Sequence, residues 1–82
     1  MESKYVPLGQ FLSTYATHSW RASFAELEQV LGFALPNSAR KYQAWWANEI
    51  EGRHVQARSW LDAGFETADL DLRGERVTFR RA

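Results

Sequence analysis

The sequence contains no cysteine, which excludes a disulfide framework and a zinc site built on thiolates. It also lacks any run of about 18 apolar residues, the length at which a segment becomes a candidate membrane span. Its N-terminus does not show the charged and then apolar pattern of a secretory signal. We therefore expect a cytoplasmic protein that makes no membrane contact.

An excess of charge of either sign is missing too, because ten Lys and Arg residues balance ten Asp and Glu residues. Binding of nucleic acid by bulk charge alone is thus not expected. The only histidines, His18 and His54, have no nucleophile at an informative spacing, and the five glycines are isolated. These features predict no enzymatic activity, no metal site and no cofactor.

Aromatic residues are plentiful, with four Trp, five Phe and three Tyr among 82 residues. A chain of this length forms one domain, 1–82, and most of its aromatic side chains are needed for the core. Trp46 and Trp60 are predicted to be core residues. Trp45 lies about 100° from Trp46 around a helix and is either a core or an exposed residue.

Two helices are predicted in the first half of the chain. The apolar spacing from Leu8 to Tyr15, with Pro7 in the first turn, indicates one helix. Ser23 and Glu26 have the spacing of a capping box and predict a second helix over residues 24–31. Between them, the alternation from Trp20 to Ser23 indicates a short strand.

A third helix is predicted over 37–48, opening at Pro36 or Asn37, and a fourth over 54–63. The third helix would carry Arg40 and Lys41 in its first turn, where the helix dipole favours anions. Such a misfit indicates either a solvated surface or an anion bound by the free N–H groups of the helix start.

The C-terminal part of the sequence alternates with the period of β-strands on both sides of Arg73 and Gly74. This pattern predicts a hairpin with a two-residue turn. Its register would place three pairs opposite each other: Leu70 and Val77, Ala68 and Phe79, and Asp71 and Arg76. The order of elements predicts an α+β fold: a small winged-helix-like domain with three to four helices, a C-terminal hairpin and a short third strand. Another α+β packing of the same elements is the alternative.

Several motifs together resemble a family of small bacterial and phage domains of unknown function: Leu35-Pro36-x-Ser38-Ala39-Arg40, Trp45-Trp46-x-Asn48, Trp60-Leu61-x-Ala63-Gly64-Phe65 and Val77-Thr78-Phe79-Arg80-Arg81. This resemblance implies no activity. The segment from Ala57 to Phe65 resembles, more weakly, the end of the recognition helix and the entry to the wing in winged helix-turn-helix regulators. It implies DNA binding with 54–63, in place of 37–48, as the recognition helix.

Our leading hypothesis is a non-enzymatic DNA-binding module, such as a regulator or an accessory protein of a mobile element. Double-stranded DNA would be the partner, and a homodimer would supply paired half-sites. The alternative is a protein-protein interaction module with an aromatic patch and an Arg rim. The residues expected to contact DNA are Asn37, Ser38, Arg40 and Lys41 at one helix start, Arg58 and Ser59 on the fourth helix, and Arg73 and Arg80 on the wing.

Overall fold

The structure, a computed structural model, describes residues 3–15, 18–49 and 55–82. The predicted α+β class is confirmed, with four α-helices, one 3₁₀ helix and a three-stranded antiparallel sheet in the described part. None of the helices in these ranges is long and apolar enough to cross a membrane. The elements are α1 Val6–Thr14, β1 Ser19–Ser23, α2 Phe24–Leu31, α3 Asn37–Lys41, the 3₁₀ helix Gln43–Trp46, α4 Val55–Leu61, β2 Phe65–Asp71 and β3 Arg76–Arg81.

The first two helices form where local signals predict them. Helix α1 buries Leu8 and Leu12 on one face. At the start of α2 both bonds of the capping box are made: the Ser23 hydroxyl accepts the Glu26 N–H at 3.0 Å, and the Glu26 carboxylate accepts the Ser23 N–H at 2.8 Å. These bonds satisfy free N–H groups at the helix start, and the Phe24 N–H donates to the Glu75 carbonyl of the hairpin turn at 2.9 Å.

The predicted continuous helix over 37–48 is wrong. Helix α3 ends at Lys41, Tyr42 adopts an extended conformation, and the chain continues as the 3₁₀ helix. The reason is burial: the Trp46 indole donates to the Ala39 carbonyl at 2.7 Å, and Trp45 and Trp46 are only 9% and 3% exposed. One straight helix would point the two rings about 100° apart, whereas the break lets both reach the core. Trp45 is therefore a core residue.

Helix α4 is shorter than the predicted 54–63, because Asp62 and Ala63 already belong to the turn before β2. Residue 54 lies outside the described part of the chain. Helices α1 and α4 cross very closely at Gly9, where an added Cβ atom would stand 2.7 Å from the Ser59 carbonyl oxygen. Only glycine permits this approach without a shift of one helix.

The sheet has the order β1-β3-β2, so the predicted third strand is confirmed and pairs with β3. Helices cover the sheet face that carries Val77 and Phe79, both fully buried. The opposite face carries exposed Arg76 and Arg80. The sheet thus has one buried and one solvated side, as antiparallel sheets commonly do.

The predicted hairpin register holds only beside the turn, where Asp71 is opposite Arg76. Asp69, with φ of 48°, lies in an irregular stretch that adds one residue to β2, and a slip of one residue exchanges the two faces of a strand. Farther from the turn, Thr67 is opposite Phe79 and Ala68 is opposite Thr78, in place of the predicted pairs of Ala68 with Phe79 and Leu70 with Val77.

Candidate interaction surfaces

The eight residues predicted to contact DNA lie in three separate places. Five belong to α3 and to the hairpin turn that α3 contacts, two lie on α4, and one lies on the solvated face of the sheet. In that order they are Asn37, Ser38, Arg40, Lys41 and Arg73, then Arg58 and Ser59, then Arg80.

Arg40 is occupied by contacts within the chain. Its guanidinium pairs with Glu28 of α2 at 2.7 Å and with Glu75 of the hairpin turn at 2.8 Å, and it lies 5.7 Å from the centre of the Phe24 ring. The same Glu28 oxygen accepts the Leu35 N–H at 2.7 Å. Arg40 therefore ties α2, α3 and the hairpin together, and an added phosphate would have to displace a carboxylate.

The predicted electrostatic misfit at the helix start is absent, because α3 has only five residues. Arg40 and Lys41 lie in its last turn, where the helix dipole favours cations. Asn37 and Lys41 are exposed and Ser38 is half-buried. The premise of the anion site was thus wrong, while a role of these side chains in binding DNA stays a prediction.

Three exposed cations at or near the turn of the hairpin have no acidic partner in the described part of the chain. Arg73 and Arg76 are exposed, and within the described residues neither of them, nor Lys41, has a carboxylate within 4.0 Å. Asp71, although opposite Arg76, accepts the Gly74 N–H at 2.9 Å instead. We call Lys41, Arg73 and Arg76 the hairpin cations.

Two arginines on the solvated face of the sheet are bound within the sheet. Arg80 pairs with Glu66 on the neighbouring strand at 3.0 Å. Arg21 extends from β1 across β3, where it donates to the Thr78 hydroxyl at 3.0 Å and to the Asp69 carbonyl on β2. Arg21 and Arg80 on this face are therefore already bound to acceptors of the same sheet, whereas Arg76, at the end of β3 beside the turn, is not bound in this way among the residues described.

An apolar groove of about 660 Å³ lies between α1 and α4. Val6 of α1 and Val55 of α4 are among its lining residues, and Val55 is 52% exposed although it is aliphatic. Arg58 and Asp62, both exposed, also line the groove and approach each other to 3.8 Å. We call this feature the α1–α4 groove.

Small residues give the α1–α4 groove its shape. Gly9 and Ser13 on α1 are four residues apart, as are Ser59 and Ala63 at α4, and all four line the groove. Gly9 and Ser13 share one face of α1, and Ser59 of α4 and Ala63 of the turn after it are also small, so no large side chain fills the groove at these positions. The spacing was visible in the sequence, but the pairing of the two helices was not.

Asn48, which the sequence suggested only as a helix end, has a structural role. Its side-chain oxygen accepts the Trp60 indole N–H and the Thr67 backbone N–H, both at 2.9 Å, and its amide group donates to the Thr67 carbonyl at 3.1 Å. Thr67 lies on edge strand β2, so the Asn48 side chain supplies the two bonds that a neighbouring strand would make.

The aromatic cluster around Tyr5 also has a structural role. Tyr5 packs edge to face on Phe33 and Trp45, and burial raises the pKa of its hydroxyl above the ordinary 10.0. The Lys4 ammonium lies 5.0 Å from the centre of the Phe33 ring.

Across residues 3–15, 18–49 and 55–82, no three His, Asp or Glu side chains are grouped to hold a metal ion.

Comparison with known proteins identifies a family but no activity. No curated protein and no solved structure matches the chain. A family model described as a domain of unknown function, DUF7662, matches residues 5–82, which include all the motifs noted in the sequence. The chain therefore belongs to the DUF7662 family of domains of unknown function.

Proposed function

We propose that this chain is a non-enzymatic protein-interaction module that binds aliphatic side chains of a protein partner in the α1–α4 groove. The observation that carries the proposal is the exposure of Val55 beside an apolar groove. Exposed apolar surface with a polar rim is characteristic of protein-protein interaction sites. Arg58 and Asp62 supply such a rim, with charges of both signs.

The pairing of charges favours this function over DNA binding. Of the predicted DNA-contacting cations, Arg40 and Arg80 each form a close ion pair with a carboxylate, at 2.7 and 3.0 Å. The arginines of the described residues are spread over α3, α4, the hairpin turn and both faces of the sheet, and the net charge is zero. DNA affinity depends on cations that are available to neutralise phosphates.

The groove takes the place of the aromatic patch expected for an interaction module. Trp45 and Tyr5 are buried in the core, so they are not available as anchors. In this proposal Val55, which is exposed beside the groove, is the anchor, and the hollow next to it admits a partner's side chain. An aliphatic anchor in a desolvated hollow contributes to affinity mainly through its buried apolar area.

Site-specific photo-crosslinking tests the proposal. A photoreactive residue is placed at position 55, and at Ala25, exposed on α2, as the matched control. We expect a crosslinked protein from position 55 only. The purified partner should then bind the wild-type chain, and Val55→Asp should weaken binding at least about tenfold, whereas Arg73→Asp should not change it. Equal crosslinking from both positions, or unchanged affinity of Val55→Asp, would contradict the proposal.

DNA binding by a winged-helix-like domain is the second candidate, and the hairpin cations support it. Arg40 holds the hairpin turn against α3 through Glu75, so Lys41 and Arg73 belong to elements in contact. None of the three hairpin cations has an acidic partner within 4.0 Å in the part of the chain described above. They are therefore the side chains that can contact phosphates without breaking an ion pair.

The salt dependence of duplex binding tests the second candidate. Three hairpin cations predict that log affinity falls against log salt with a slope of no more than about 3, at about 0.9 for each phosphate neutralised. Arg73→Ala should lower the slope by about one contact, and Arg58→Ala, on another face, should leave it unchanged. Absence of binding at low salt, or an equal effect of both variants, would exclude this function.

A further inference from the structure

We infer that a second copy of this chain occupies the α1–α4 groove in a symmetric dimer. The inference rests on the proposed function, because it names the partner of the same groove. Most soluble oligomers are homo-oligomers with two-fold symmetry, in which one surface patch contacts itself. The same patch must then supply both groups of each contact, for example the apolar side chain and the hollow that receives it.

The α1–α4 groove carries both halves of an apolar contact. Val55 stands on the surface at the N-terminal end of α4, and the hollow lined by Gly9, Ser13 and Ala63 belongs to the same groove. In a two-fold arrangement, each copy inserts its Val55 into the hollow of the other. Small residues in the hollow allow the facing helix to come close.

The groove also carries both halves of a polar contact. Arg58 and Asp62 are separated by one helical turn, and both side chains are more than half exposed. When α4 and the first residue after it pack antiparallel on the same segment of a second copy, Arg58 of one copy faces Asp62 of the other, and the same pair forms again across the axis. A surface with one sign of charge would instead repel its own copy.

The size of the groove predicts a weak dimer. Eleven residues line it, whereas a stable interface of standard size uses about 20–30 residues on each side. We therefore expect a dissociation constant in the range of about 10–500 µM, as for small and transient interfaces. The association must be measured at high protein concentration.

Sedimentation equilibrium of the full chain with reciprocal charge reversal tests the inference. The wild-type mass should rise from 9.5 kDa toward twice that value with increasing concentration. Arg58→Asp alone and Asp62→Arg alone should each weaken self-association at least about tenfold, because like charges then face each other. An equimolar mixture of the two variants should associate within about threefold of the wild-type strength, since opposite charges face each other again. Arg73→Asp, outside the groove, should behave as wild type.

Two results would overturn the second copy as partner: a wild-type mass of 9.5 kDa at all concentrations up to about 1 mM, or a mixture that associates no better than its components. The mixture is its own folding control, because misfolded variants would not restore association. If a different protein crosslinks from position 55 and binds Val55→Asp weakly, the proposed function stands and the dimer fails. If neither association nor such a partner is found, both fail.

Discussion

Truncation of Asn48 should destabilise the fold far more than an exposed asparagine of this size normally does. Asn48→Ala removes the hydrogen bonds that join the segment after the 3₁₀ helix to Trp60 and, through the backbone and hydroxyl of Thr67, to edge strand β2. The Trp60 side chain is fully buried, so its indole N–H loses a partner in a place that is poorly hydrated. The two backbone groups of Thr67 lie nearer to solvent and can bind water instead.

The expected loss follows from these environments. The net contribution of one hydrogen bond to the free energy of unfolding is about 0.5–1.5 kcal/mol, and a buried donor left without a partner lowers it by about 1–3 kcal/mol. With the indole N–H counted as buried and the Thr67 groups as rehydrated, Asn48→Ala should lower the free energy of unfolding by about 2–3 kcal/mol. A chain of this length has a total of roughly 4–12 kcal/mol, so the loss is a large fraction.

Urea unfolding followed by tryptophan fluorescence and by circular dichroism measures this loss. Asn37→Ala is the matched control, because Asn37 is exposed and its side chain forms no hydrogen bond within the residues that the structure covers. It should change the free energy of unfolding by less than about 0.5 kcal/mol. If the two variants unfold at the same urea concentration, the assigned role of Asn48 is refuted.

Three further predictions follow from the packing. Gly9→Ala should lower the free energy of unfolding in urea by about 1–2 kcal/mol, because the new methyl group meets the Ser59 carbonyl. The better helix propensity of alanine offsets only part of this loss. An unchanged unfolding midpoint would show that α1 and α4 move apart freely. Arg40→Gln should lower the free energy of unfolding by about 1–2 kcal/mol, because two partly exposed ion pairs are lost. The control Lys41→Gln should lower it by less than about 0.5 kcal/mol. Equal losses would refute the linking role of Arg40. Because the pKa of Tyr5 in the folded chain is raised above 10.0, its contribution to stability is complete below pH 10 and is lost as the pH rises through the folded value. Thermal melts from about pH 9 to 11.5 should therefore show a smaller alkaline loss for Tyr5→Phe than for wild type, and identical slopes would contradict this.

The elements that the sequence predicts well are those set by neighbouring residues. Helix α2 has its cap at Ser23 and its end at Gly32, which adopts the left-handed conformation with φ of 85°. Both signals act within a few residues, so no tertiary contact is needed to recognise them. The strand β1 and the turn of the hairpin were predictable for the same reason.

The failures have a common physical cause in contacts between distant residues. The break after Lys41 exists because Trp45 and Trp46 both pack in the core, and the bulge at Asp69 changes which β2 side chains face the helices. A sequence pattern describes each segment by itself. It therefore predicts a helix or a strand register that continues past the point where packing against distant residues interrupts it. The α1–α4 groove was missed because it exists only where two helices meet.

The bonds of Asn48 bear on how relatives of this chain are compared. The polar atoms of Trp46 and Asn48 in the Trp-Trp-x-Asn motif are bound within the chain, to Ala39, Trp60 and Thr67. A second protein with this motif should therefore share the end of the sheet at β2, but the motif alone gives no reason to assign it the same partner. Under the proposed function, residues at positions equivalent to Val55, Arg58 and Asp62 are the better basis for sorting relatives by what they bind.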